Sequence, residues 1–219
     1  MARRVILLGD SIGTSQGVPS GRGFLDIVRS RLKPHGIAVE NWSNGGQMAM
    51  TIAQQAPNLQ KKIKSCVAST PDLLVVFELG GNDRLFGIPP KSIEEALETL
   101  IFAAKAVPVR ALLMEVIPDG IERDVAERTG ARLMPTPPQM AAAMRGPLVR
   151  GRVPDVSYEF VQEDGIHPNT AAQRHIARGL LAAICDEWGL ALDEASLSDD
   201  DDDDEGKNCM RGNFGCVVL

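Results

Sequence analysis

Three residue types in this sequence could together cleave an acyl bond: a serine, a histidine and a carboxylate. Ser11 follows Gly9-Asp10, directly after an apolar run over residues 5–8. A serine hydroxyl is a poor nucleophile until a base takes its proton. Histidine suits that task near neutral pH. The chain has three histidines. His35 lies in "KPHG", a helix-ending turn, and reads as a surface residue. His175 lies two turns into a helical pattern and reads as helix surface or half-buried. His167 lies in "EDGIHPN", an irregular segment three residues after Asp164. At that spacing a carboxylate on a tight turn can bind one imidazole nitrogen while the other faces a serine. Taken alone, Asp164 fits an ordinary Asx turn before Gly165 equally well.

Acyl transfer also needs donors for a developing oxyanion. The backbone N–H of Ser11, the backbone N–H of Gly46 in Asn44-Gly45-Gly46, and the side-chain amide of Asn82 in Gly80-Gly81-Asn82-Asp83 can supply them. Singly, each of these blocks is common turn chemistry. Together they follow three successive candidate strands in order, and that order makes a common site the better reading.

Something must hold these blocks at one edge. Apolar, β-rich runs predict strands over residues 4–8, 37–42, 73–79, 110–116 and 131–134. "DLLVVFELG" is apolar almost throughout, as a strand covered on both faces must be. Amphipathic stretches fall between. "GFLDIVRSRLKPHG" places Phe24, Ile27, Val28 and Leu32 on one stripe and stops at Pro34 and Gly36. "SIEEALETLIFAAKA" offers Ser92 as N-cap with Glu95 three residues on. "NTAAQRHIARGLLAAICDEW" offers Asn169 as N-cap and repeats Ala172, Ile176, Leu180, Ile184 and Trp188. This alternation predicts an α/β fold, a three-layer α/β/α sandwich on a five-stranded parallel sheet with right-handed crossovers. Ligands then bind outside the carboxyl ends of the strands, where the four blocks lie.

Composition narrows the function classes. The chain has 219 residues, 44% of them hydrophobic, enough for one sizeable core. Nine of the 29 acidic residues but only two of the 23 basic ones lie from Asp193 onward. The body is therefore near neutral and shows no basic face for nucleic acid. Residues 1–192 read as one domain. Residues 193–219, with seven consecutive acidic residues over 199–205, read as a solvated, disordered tail. Cys66, Cys185, Cys209 and Cys216 form no CxxC pair and no Cys/His cluster, so neither zinc nor any other metal is expected. Cys66 and Cys185 fall on apolar helical stretches and are expected in the core. The N-terminal apolar run is too short for a signal-peptide core, and no stretch reaches the roughly 18 residues that span a bilayer, so a cytoplasmic protein without membrane insertion is expected. "GDSIGTSQG" lacks GxGxxG and opens no helix, which argues against a dinucleotide cofactor. "CVVL" satisfies a C-a-a-X form, but the acidic run upstream opposes membrane attachment. Oligomeric state is not readable.

The blocks resemble those of the SGNH hydrolases, also called the GDSL esterase/lipase family. "LLGDSI" resembles its nucleophile block, "NWSNGGQ" its single-glycine block, "ELGGNDRL" its Gly-x-Asn-Asp block and "EDGIHPN" its Asp-x-x-His block. "GVPSGRGF", "LLMEV" and "DGIHPN" are similar to stretches of bacterial thioesterase, arylesterase and lysophospholipase-type members. The resemblance covers roughly residues 4 to 190. It implies a flavodoxin-like serine hydrolase that cleaves esters or thioesters of small to medium acyl groups through an acyl-enzyme, without cofactor. Ser11 would be the nucleophile, His167 the base and Asp164 its orienter. Ser11 N–H, Gly46 N–H and the Asn82 amide would form the oxyanion hole, with Gly46 preferred to Gly45 by alignment. "IPDGIERDVAERTGARL" is shorter than the family's stretch, so the resemblance does not assure the helix that borders its acyl groove. A carbohydrate O-acetylesterase, or a catalytically idle binding protein on the same fold, is the alternative.

The charge pattern yields a test. A chain ending at Leu192 is expected to melt within a few degrees of the full chain and to hydrolyse short esters at a similar rate. A salt-dependent rise in activity on truncation would instead show the acidic run docking on the cleft.

Overall fold

The computed structural model describes residues 2–145, 155–156 and 159–191. The acidic tail over 193–219, with Cys209 and Cys216, lies outside them. Five parallel strands form the sheet: β1 (Arg3–Gly9), β2 (Ile37–Asn41), β3 (Asp72–Glu78), β4 (Arg110–Met114) and β5 (Arg132–Met134). Their order is β2-β1-β3-β4-β5. Strand β2 lies on one side of β1 and β3 on the other, so the order reverses between β1 and β3. The crevice outside their carboxyl ends is where such sheets bind ligands.

Alternation along the strands builds two cores. Val5, Leu7, Leu74 and Val76 face α1 (Phe24–Leu32) and α8 (Thr170–Trp188). Ile6, Leu8, Leu73, Val75 and Phe77 face the opposite layer. That layer contains α2 (Ala49–Ala53), α3 (Ala56–Ser69), α5 (Pro90–Lys105) and α6 (Ile121–Thr129). A short helix, α4 (Gly81–Leu85), follows β3, and α7 (Pro138–Ala143) follows β5. A two-residue antiparallel pair joins β6 (Met144–Arg145) to β7 (Asp155–Val156). Among the described residues no helix is long and apolar enough to cross a membrane.

Several local expectations change. Helix α5 starts at Pro90 with Pro89 as N-cap, so Ser92 sits inside the first turn and forms no capping box. Pro90 arrives with a helix-like φ and lacks only an N–H that the first turn leaves unbonded anyway, so the Pro89-Pro90 pair starts the helix earlier than a serine cap could. A helix, α6, does occupy the shortened stretch between β4 and β5. Gly80-Gly81-Asn82-Asp83 is a helix start rather than an open turn, and Gly80 takes φ +105°, which a side chain would disfavour. Cys66 and Cys185 are free thiols and only half-buried, because both sit at the margin of their helices' apolar stripes. Asn169 caps α8 as the sequence suggested, its Oδ1 accepting the Ala172 N–H at 3.1 Å.

The β1–β3 register pairs Gly9 with Glu78 at the strand ends. A Cβ on Gly9 would overlap the Glu78 carboxyl and stand 2.8 Å from Ser43 Oγ. Overpacking of this kind costs about 1–3 kcal/mol. Gly9→Ala is therefore expected to lower the urea midpoint clearly. Gly45→Ala, whose added Cβ meets nothing nearer than 3.7 Å, is expected to leave it unchanged.

Candidate active site

Ser11 sits two residues past the end of β1, buried, with its hydroxyl at the cleft. The chain after it does not enter a helix at once. Asp10 turns back, its Oδ1 accepting the Ile12 N–H at 2.9 Å, and Gln16 N–H returns to the Ser11 carbonyl at 3.0 Å. That compact loop projects the serine instead of burying it in a helical turn.

The histidine arrives from the other side of the sheet edge. Residues 159–169 fold back on themselves, with a bridge between Val161 and Pro168 and a Gln162 N–H bond to the His167 carbonyl at 2.8 Å. Asp164 opens the tight turn inside. Its Oδ1 accepts the N–H groups of Ile166 and His167 at 2.9 and 3.0 Å, and its Oδ2 lies 2.6 Å from His167 Nδ1. The Asx turn and the carboxylate–imidazole contact, alternatives on sequence, are one structure. The small burial of Asp164 works against its charge, but the hydrogen bonds from the His167 ring and these two N–H groups outweigh it, and its pKa falls below the usual carboxylate value. An ionised carboxylate only accepts, so Nδ1 carries the hydrogen, and in the neutral imidazole Nε2 is left with its lone pair. Nε2 stands 2.9 Å from Ser11 Oγ. A hydroxyl so placed can lose its proton as its oxygen attacks a carbonyl.

Asn82, the second residue of α4, comes to the same edge. Its Nδ2 donates to Asp10 Oδ2 at 2.9 Å and to the Gln47 carbonyl at 3.0 Å. Gly46 lies at φ +75° in the turn closed by the Gln47 N–H bond to Asn44 at 3.2 Å, with open space where a Cβ would be. The four sequence blocks thus meet, though Gly46 is exposed at the rim and does not line the cleft. The other histidines stand apart. His35 ends a 3₁₀ turn over Lys33–His35, and His175 packs edge-on against Phe160 at 5.4 Å, where burial pulls its pKa down.

Four positions with structural roles here went unrecognised in the sequence. Asp83 is fully buried and its two carboxyl oxygens accept the N–H groups of Ala49 and Met50 at 2.8 and 3.0 Å, tying the start of α2, just after the glycine turn, to α4. Gln162 donates to the Gln16 carbonyl at 2.7 Å and so joins the histidine loop to the serine loop. Gln173 Oε1 accepts the Phe24 N–H at 2.8 Å, docking α1 on α8. Glu78 lies beneath the serine loop. Glu78 and Asp83 lie within a readable block and Gln162 adjoins one, but the partners of these three side chains are far away in sequence.

The cleft running from Ser11 encloses about 710 Å³. Ile12, Met114, Ile121, Met134, Phe160 and Ile176 are among its walls, with Ser11 and Asn82 among the polar residues that also line it. A mostly apolar slot with a few polar groups suits an acyl chain.

The chain is similar to known proteins. The sequence profile described as the GDSL-like Lipase/Acylhydrolase family matches residues 7–206. An arylesterase of Vibrio mimicus is 26% identical over 180 residues, covering 80% of this chain and 85% of that protein. Esterase TesA of Pseudomonas aeruginosa is 29% identical over 180 residues, covering 78% of this chain and 83% of that protein. The crystal structure of the psychrotrophic esterase EstA from Pseudoalteromonas sp. superposes with a TM-score of 0.65 at 20% identity, covering 86% of this chain and 100% of that one. At that identity the likeness speaks for the fold.

Asp83→Ala would leave the buried Ala49 N–H, worth about 1–3 kcal/mol when unpaired, and the part-buried Met50 N–H without their acceptor. It is expected to lower the melting temperature and to speed hydrogen exchange at Ala49 and Met50 selectively. Unchanged exchange there would contradict the tie between α4 and the start of α2.

Proposed function

The chain belongs to the GDSL-like Lipase/Acylhydrolase family, a carboxylic ester hydrolase, and on that premise we propose that Ser11, His167 and Asp164 carry its reaction. The observation behind the proposal is the chain of contacts, 2.9 Å from Ser11 Oγ to His167 Nε2 and 2.6 Å from Nδ1 to Asp164, at the mouth of the apolar cleft. Ser11 Oγ attacks the acyl carbonyl while Nε2 takes its proton. The carbonyl oxygen becomes an oxyanion, which the Ser11 N–H and the Asn82 amide in the cleft stabilise, with the Gly46 N–H at its rim as the third donor. Both hydrogens of the Asn82 amide are engaged in the resting site, so the oxyanion takes the place of the Gln47 carbonyl. The imidazolium returns its proton to the departing alkoxide or thiolate. Water, deprotonated by His167, then releases the acid and restores Ser11.

The size and apolar lining of the cleft favour small to medium acyl groups over acetyl alone, the substrate a carbohydrate O-acetylesterase would take. The arylesterase and esterase relatives fit the same class. The complete set of polar contacts at Ser11 argues against an idle binding protein.

Ser11→Ala and His167→Ala are each expected to remove about 10⁶-fold of turnover, as triad members act as a unit. Asp164→Ala is expected to cost less, while His35→Ala and His175→Ala stay near wild type. Asn82→Ala is expected to lower kcat by about 10²–10³-fold with a smaller change in KM. Kinetics on p-nitrophenyl esters from acetyl to palmitoyl, with fluorophosphonate labelling of Ser11, check all of these. Labelling at another serine, or a base role for His35 or His175, would overturn the assignment.

A further inference from the structure

Glu78 ends β3 directly opposite Gly9 and is 1% exposed. Its Oε2 accepts the N–H of Asp10 at 3.1 Å and of Gly13 at 2.9 Å. These two amides flank Ser11, so one oxygen grips the serine loop on both sides. Asp10 is itself 2% exposed and is held by that grip. Its Oδ1 takes the Ile12 N–H, and its Oδ2 takes one hydrogen of the Asn82 amide at 2.9 Å. The second amide hydrogen is thereby turned toward Gln47 in the glycine turn, at 3.0 Å. Gly9 and Gly13 leave the room this requires, since a Cβ on either would collide with the Glu78 carboxyl or with Ser43.

We propose that Glu78 is a positioning residue of the hydrolase: it fixes the loop of Ser11 through the Asp10 and Gly13 N–H groups and, through Asp10, aims the Asn82 amide at the oxyanion. The proposal rests on the reading of Ser11 as nucleophile and Asn82 as oxyanion donor. Two buried carboxyl groups meet here, and among the described residues neither forms an ion pair with an arginine or lysine. Burial, and then the neighbouring Asp10, push Glu78 well above the usual carboxylate range. Its Oε2 accepts both N–H groups, and its other oxygen, Oε1, is buried with no hydrogen-bond partner. The contacts need its length and its acceptor oxygen, not its charge. A glutamine supplies the same length and acceptor and also donates.

The test is steady-state kinetics of Glu78→Ala, Glu78→Gln, Asn82→Ala and the Glu78→Ala/Asn82→Ala double variant on a short p-nitrophenyl ester. Glu78→Ala is expected to lose about 10–100-fold in kcat, the scale of a small misplacement of reacting groups, with KM within about threefold. Glu78→Gln is expected to stay within about threefold of wild type in both. Because Glu78 acts in part through Asn82, the double variant is expected to lose clearly less than the product of the single losses. If Glu78→Ala does not melt cooperatively, Glu78→Asp, one methylene too short to reach the loop, replaces it in the same cycle. An unchanged kcat in the folded alanine or aspartate variant, a glutamine variant as impaired as the alanine one, or fully multiplicative losses would each overturn the proposal. Full activity in Ser11→Ala, or an unaltered kcat in Asn82→Ala, would instead remove the reading beneath it. Those variants distinguish the two failures.

Discussion

The site depends on one constraint: β1 and β3 are parallel neighbours that end together. In a parallel pair the carboxyl ends point the same way, so the segments leaving both strands emerge on the same edge. Gly9 opposite Glu78 is the last rung. One residue further, β1 becomes the Ser11 loop. Three residues further, β3 has become the first turn of α4, with Asn82 on it. The crossover through α2 and α3 reverses the strand order at this pair, so no helix closes the crevice above it. Antiparallel or separated strands would put nucleophile and amide at opposite ends of the sheet or in different clefts.

Below that edge three buried carboxyl groups make hydrogen bonds that bear on geometry. Asp10, Asp83 and Glu78 are buried and accept backbone N–H groups from loops that no strand or helix ladder satisfies. Burial is costly for each, and Asp10 is pushed up to about 6 by it. The cost is tolerated because the segments carrying Ser11 and Asn82 otherwise have several arrangements of similar energy, and side-chain acceptors select one. Arg84 does comparable work one turn on. It forms paired hydrogen bonds to Asp119 and to Glu122, from 2.7 to 2.9 Å, fastening α4 to the start of α6. Burial raises Glu122 to about 7 even against the opposing pull of Arg84. Such a pair adds little net stability, because desolvation consumes most of the attraction, but it fixes where α6 begins. Ile121 beside it is a wall of the cleft.

The chemistry is thus divided between rigid and adaptable parts. The Ser11 loop and α4 sit on buried strand ends. The histidine loop lies on the surface, held by Asp164 within itself and by Gln162 across to Gln16. The cleft is lined by methionine, isoleucine and phenylalanine side chains of the α8-side core and by α6, an arrangement that can repack around chains of different length.

The sequence alone determined the strands and the three helices α1, α5 and α8, because their signals are local. "DLLVVFELG" could only be a strand covered on both sides, and α8 carried both its cap and its full apolar stripe. The residues that meet at the cleft were legible for a related reason: reactive side chains in irregular segments after strands are rare, and the α/β order says that such segments share an edge. The start of α5 was misread because a serine cap and a proline start compete within three residues. What the tertiary structure alone decided is the support. Glu78 is 65 residues from Gly13, Asp83 is 34 from Ala49, and Gln162 is 146 from Gln16. A buried acceptor is defined by the backbone donor that reaches it, and sequence spacing carries no trace of a partner brought in by another strand. The size of the cleft belongs to the same class, since it is the space left between α6, α8 and the sheet once all three have packed.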